Sequence, residues 1–67
     1  MMTILKIEGM TCQHCVKAVE EALAGVNGVE RVVRVDLDSG EAEIEGQART
    51  ASLIAAVEDE GYTASAA

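Results

Sequence analysis

Thr3-Ile4-Leu5-Lys6-Ile7-Glu8 runs directly into Gly9-Met10-Thr11-Cys12, and from Gln13-His14-Cys15-Val16 onward the spacing of apolar residues changes. Residues 3–8 alternate, with Thr3, Leu5 and Ile7 on one side and Ile4, Lys6 and Glu8 on the other. That is the period of a strand buried on one face. From about Gln13 to Ala24, the residues Val16, Val19, Ala22 and Leu23 recur at helical spacing, leaving Lys17, Glu20 and Glu21 to solvent. Gly25 is the stop of that helix, and Asn27-Gly28 reads as a turn. Residues 9–12 are therefore a strand-to-helix junction, with Cys12 and Cys15 placed on it.

Working outward, residues 31–37 carry Val33, Val35 and Leu37 in alternation with Arg34 and Asp36, a second strand. Asp38-Ser39-Gly40 is a hairpin turn. Residues 41–45 form a third strand, Ala42 and Ile44 inward, Glu41, Glu43 and Glu45 outward. Gly46 ends it. Thr50 or a neighbour is placed to cap a second helix whose apolar face is Leu53, Ile54 and Val57, and Gly61 stops that helix. Tyr62 to Ala64 makes a short last strand, and the tail from Ala64 to Ala67 is expected to fray. The order βαββαβ predicts an α+β, ferredoxin-like sandwich: two helices on one face of a four-stranded antiparallel sheet, one domain over residues 1–67. The outward Lys6, Arg34 and Glu43 fit a second sheet face open to water.

Composition narrows the function. A chain of 67 residues without Phe or Trp builds a thin core, so a surface or loop site is expected rather than a deep pocket. The net charge of −7 argues against nucleic acid and against anionic membrane surfaces, and fits a partner with a basic face. No stretch approaches the ~18 apolar residues of a membrane span, so no membrane insertion is expected. The start at Met1-Met2 reads as a strand rather than an export leader, which makes the cytoplasm the expected location. Thiols stay reduced there, and two cysteines then suggest metal or redox chemistry.

With Cys12 as the cap and Cys15 as the third helical residue, the two side chains converge as in a capping box. Helix N-terminal amides and the helix dipole favour thiolate over thiol at both. Soft thiolates select Cu(I), Zn or Fe–S clusters. Structural zinc calls for four ligands and Fe–S clusters usually for four cysteines. Here there are two cysteines and one histidine, His14, which on a helix projects away from Cys15. An ion content with two ligands is favoured: Cu(I) is the biological candidate, and Hg(II) would also be held. A thiol-disulfide redox role is the rival, weakened by the absence of any proline and of an aromatic residue beside the cysteines. The chain is not expected to be an enzyme.

Gly9-Met10-Thr11-Cys12-Gln13-His14-Cys15 resembles the Gly-Met-Thr/Ser-Cys-x-x-Cys signature of heavy-metal-associated domains, and the likeness extends through Gly28-Val29, strand 33–37 and Gly61-Tyr62. Bacterial CopZ-like copper chaperones, and the amino-terminal modules of copper-exporting P-type ATPases, share this pattern. The resemblance implies Cu(I) bound between Cys12 and Cys15 and passed on by thiolate exchange. The recipient it implies is a copper-transporting P-type ATPase, with a copper-responsive regulator as a further partner. It also implies that Met10 points into the core and that Tyr62 lies close to the site. Thr11 stands where zinc-transporting relatives often carry an acid, which favours Cu(I) over Zn(II). One departure is an extra residue at Val32-Val33, to be absorbed by a bulge or a longer turn.

If the elements alternate in direction, the Cys loop, the 38–40 turn and the 60–62 loop share one end. Asp36, Asp38, Glu58, Asp59 and Glu60 are expected there, opposed clearly only by Lys17, with Arg31 and Arg49 at the far end. Glu58, Asp59 and Glu60 are thus candidates to dock a basic partner. A monomer is expected, or a metal-bridged pair; His14 reads first as a solvated loop side chain, with tuning of the thiolates or a place in such a pair as its functional alternatives.

Overall fold

The computed structural model describes residues 1–67. Its elements are β1 (Met2–Glu8), α1 (Gln13–Ala24), β2 (Val29–Asp36), β3 (Glu41–Gly46), α2 (Thr50–Asp59) and β4 (Thr63–Ala66). The strands form one sheet in the order β2-β3-β1-β4, every neighbouring pair antiparallel. This is the predicted ferredoxin-like arrangement. Leu5, Ile7, Ala42, Ile44 and Ala64 point inward from the sheet against Val19 and Leu23 of α1 and Leu53 and Val57 of α2. With no Phe or Trp to fill it, that core is built from Leu, Ile, Val and Ala side chains, with Met10 and Tyr62 packed at its edge.

On the other sheet face, Arg31 bonds to Glu45 (2.6 Å) and Arg34 to Glu43 (3.1 Å) and Glu41 (3.3 Å). These exposed pairs each contribute little to stability. They do offset, two cations against three anions, a column of glutamates on β3 that would otherwise repel one another more strongly.

Several expectations are corrected. β2 begins two residues early and ends before Leu37, which belongs to the turn. Its register slips between Val29 and Arg31 and again between Val32 and Arg34. The extra residue is taken up in a bulge, as expected, but the bulge changes the phase, so Val32 and Val35 pack on the core where simple alternation chose Val33. Of the two capping options at the start of α2, the neighbour holds: Arg49 is the cap, its carbonyl accepting the first helical bond from the Leu53 amide (3.1 Å), and Thr50 is the first helical residue. Tyr62 lies outside β4, since its amide turns back to the Val57 carbonyl (3.4 Å). The tail is strand rather than frayed: Ala66 pairs with Leu5, and the Ala67 amide bonds to the Ile4 carbonyl (3.0 Å).

Three loops meet at one end. The Ile7 amide bonds to the Gly40 carbonyl (2.6 Å), which ties the 37–40 turn to the end of β1. Gly40 has φ +73°, and a Cβ there would stand 2.7 Å from the Ile7 carbonyl oxygen, so only glycine fits the approach. The 60–62 loop reaches the same end through Tyr62, whose ring lies beside Gly9. Arg49 lies at the far end, where Gly28 packs against the neighbouring Ala48.

Candidate metal centre

β1 delivers the chain to Gly9, whose φ of +102° turns it away from the sheet, and Met10 packs on the core and anchors the loop from below. Thr11, Cys12, Gln13 and His14 are exposed and Cys15 is half-buried. Cys12 has extended backbone angles and stands at the N-cap of α1; its carbonyl accepts from the amides of Cys15 (3.0 Å) and Val16 (3.3 Å). Val16 is buried, so the first turn is pinned to the core one residue after Cys15. The two sulfurs converge to 3.9 Å, both as free thiols. No side-chain cap bond accompanies this. The spacing alone brings the sulfurs together, without the reciprocal bonds of a capping box.

The Cys15 thiol is drawn down from 9.0 to about 6. Hydrogen bonding from the Thr11 backbone amide is the main cause, followed by the Tyr62 hydroxyl; partial burial works against them, and the Thr11 side chain and Cys12 amide add to them. The Thr11 Oγ1 lies 3.8 Å from Cys15 Sγ. The stabilising donors therefore come from the loop before the helix and from Tyr62, where the sequence reading credited the helix N-terminus. The Tyr62 hydroxyl is pushed up in turn, first by its bond to Cys15 and then by burial.

His14 is exposed, and no cluster of three or more His, Cys, Asp or Glu side chains forms at this site or elsewhere. The two sulfurs are the only thiols of the chain. Such a pair can hold one soft ion on an open surface.

Glu58 and Asp59 end α2, Glu60 caps it, and all three are exposed on the loop that leads to Tyr62. Asp38 lies on the neighbouring turn, its amide bonded to Asp36 Oδ1 (3.0 Å). Lys17 is joined here by a second cation: Lys6 Nζ, reaching from β1, donates to the Ser39 carbonyl on the same turn. A contact across 33 positions leaves no local signal in the sequence.

A junction of this shape on this sheet defines a family. The heavy-metal-associated domain model matches residues 4–63, and the chain belongs to that family. The copper chaperone CopZ of Bacillus subtilis (strain 168) is 43% identical over 61 residues, covering 87% of this chain and 87% of that one. Among solved structures, a CopZ metallochaperone superposes with a TM-score of 0.90 at 34% identity, over 97% of this chain and 100% of the other. A copper binding domain from HMA7, a P-type ATPase, superposes with a TM-score of 0.93 at 29% identity, over 98% and 92%. No helix is long and apolar enough to cross a membrane.

Proposed function

We propose that the chain is a copper carrier that holds Cu(I) between Cys12 and Cys15 and passes it to a partner by thiolate exchange. The observation that carries this reading is the pair of sulfurs 3.9 Å apart with no third ligand beside them. A metal–thiolate bond is about 2.3 Å for zinc, so an ion between the sulfurs needs them opened by less than ~1 Å to reach linear geometry. An exposed loop accommodates that. Two-coordinate binding suits Cu(I) and leaves Zn(II) short of its usual four ligands.

In this reading Met10 fixes the loop, while Thr11 and Tyr62 hold Cys15 as thiolate. A cysteine of the partner adds to the ion before either original bond is lost, so tight binding and fast transfer coexist. Glu58, Asp59 and Glu60 steer a basic partner surface to the site. Copper chaperones named among the relatives, and the ATPase domain among the structures, point to a copper-transporting P-type ATPase as recipient. A copper-responsive regulator is a further recipient, and the cytoplasm is the site of action. The chain itself catalyses no reaction. The likeness to the HMA7 domain also supports a second reading, a metal-binding module of such an ATPase.

The test is an anaerobic Cu(I) titration against a competing Cu(I) chelator, run beside Zn(II). Cys12→Ser and Cys15→Ser should each abolish tight Cu(I) binding. Zinc held more tightly than Cu(I) through the same two cysteines would overturn the assignment.

A further inference from the structure

The sheet has two edges, and they differ. The β2 edge is broken by two register shifts and carries exposed Glu30, Arg31 and Arg34. Bulges and charges of this kind protect an edge from pairing with another chain. β4 has neither. It is Thr63-Ala64-Ser65-Ala66, uncharged, in unbroken register with β1 on one side and without a strand on the other. The bond from the Ala67 amide to the Ile4 carbonyl sets the phase of the ladder. Residues 63, 65 and 67 turn their backbone groups toward β1, and Ala64 and Ala66 turn theirs outward. What such groups accept is another strand.

The helix above this edge favours one kind of strand. α2 packs on β4. Ala51, Ile54 and Glu58 form one row along it, at spacings of three and four. A right-handed β3–α2–β4 connection turns that row away from α1 and over the outer edge of β4. The row is small or apolar at Ala51, which is exposed, and at Ile54, which is half-buried. Glu58, Asp59 and Glu60 lie at its upper end; Arg49 and the positive end of the helix lie at its lower end. α2 climbs to the 60–62 loop and β4 descends from it, so the two span the same height. Their midpoints lie at similar depths, about 7 Å along β4 at ~3.4 Å per residue and about 8 Å along α2 at ~1.5 Å per residue. A single two-fold axis can bisect both.

We propose that the β4 edge pairs with the same edge of a second copy of this chain. The strands meet antiparallel, with Ala64 and Ala66 sharing backbone hydrogen bonds across the axis. The two α2 helices come side by side within the 8–10 Å usual for packed helices. Running antiparallel, they set Arg49 of each copy against the Glu58–Glu60 end of the other. The two Cys loops point to opposite ends of the pair and stay open, so the association needs no metal. The formal charge of −7 on each copy opposes it, which makes it concentration-dependent.

The experiment is sedimentation equilibrium on the Cys12→Ser/Cys15→Ser chain with a chelator present, at concentrations up to about 1 mM. The average mass should rise toward twice that of one chain. Ala66→Pro removes an outward amide without touching the ladder to β1 and should keep the mass at one chain. Arg49→Glu should weaken pairing, and Arg49→Glu/Glu60→Arg should restore it. The charge pair carries the test independently should the proline disturb folding, which circular dichroism reports. A single-chain mass at every concentration would overturn the proposal. So would a dimer that Ala66→Pro and Arg49→Glu leave intact.

Discussion

The sulfurs of Cys12 and Cys15 stand 3.9 Å apart in unlike surroundings. Cys12 is exposed at the N-cap, whereas Cys15 is half-buried under the Thr11 amide and the Tyr62 hydroxyl. With its pKa drawn down to about 6, the inner sulfur favours the thiolate at neutral pH before any ion arrives, and the outer one faces whatever approaches. Binding a soft cation then requires little proton release from Cys15.

The pH dependence follows from that anion. In the Cys12→Ser chain, thiolate absorbance should rise with a midpoint near 6, where an unperturbed thiol titrates near 9. Folding lowers this pKa, so the unfolded chain binds the extra proton between those values and stability rises with pH across the window. The contribution is fully present above about 9 and is lost as pH falls through about 6. Urea midpoints of the Cys12→Ser chain should increase from pH 6 to 9 more than those of Cys12→Ser/Cys15→Ser. Equal slopes for the two chains would contradict the assignment.

Tyr62→Phe separates the hydroxyl from the ring. The ring packs on the core and lies beside Gly9, and Phe keeps both contacts. The lost hydroxyl is the second cause of the Cys15 shift, so the thiol should titrate higher than about 6 while the unfolding midpoint at low pH stays put. Cu(I) affinity should then drop more at pH 6 than at pH 9, where the thiolate forms without help. An unmoved Cys15 titration would show that the Thr11 amide suffices.

The hydrophobic periods made most of this legible. Leu5 and Ile7, Ala42 and Ile44, and Val19 and Leu23 announce their elements because each period matches one buried face. Cys12 and Cys15 were legible for the same reason: a cap and a third helical position are fixed once the junction is located. Val33 was misread because a bulge shifts phase without changing composition. The Thr11 amide left no mark because every residue but proline carries one. Lys6 at Ser39 depends on a fold-level contact that no local pattern encodes.

A core with so few large side chains should be sensitive to each. Leu53 is fully buried between α2 and the sheet. Leu53→Ala should cost about 2–5 kcal/mol. For 67 residues, total stability on the order of 3–10 kcal/mol is usual, so the loss is a large share of the total and should lower the urea midpoint steeply. Ile4, on the open face at 39% exposure, should by contrast tolerate Ile4→Thr within roughly 0.5 kcal/mol. Urea denaturation of the two variants checks the contrast, and comparable losses would place the core wrongly.

The acidic end should govern transfer rate and leave affinity alone. Glu58, Asp59 and Glu60 are exposed and lie on the loop that carries Tyr62 to the site, while none belongs to the sulfur pair. Lys6 is held at the Ser39 carbonyl, so it offsets the turn carrying Asp38 more than the end of α2. Replacing all three acids with Lys should therefore invert the field that a basic partner meets. Stopped-flow transfer of Cu(I) to a lysine-rich acceptor domain should slow by about tenfold at low salt. The difference should vanish near 1 M salt, where the screening length falls to about 3 Å. Chelator competition should give the same Cu(I) affinity for both chains, since Thr11, Tyr62 and both cysteines are untouched. Equal transfer rates at low salt would mean that these carboxylates are merely solvated and that docking uses another face.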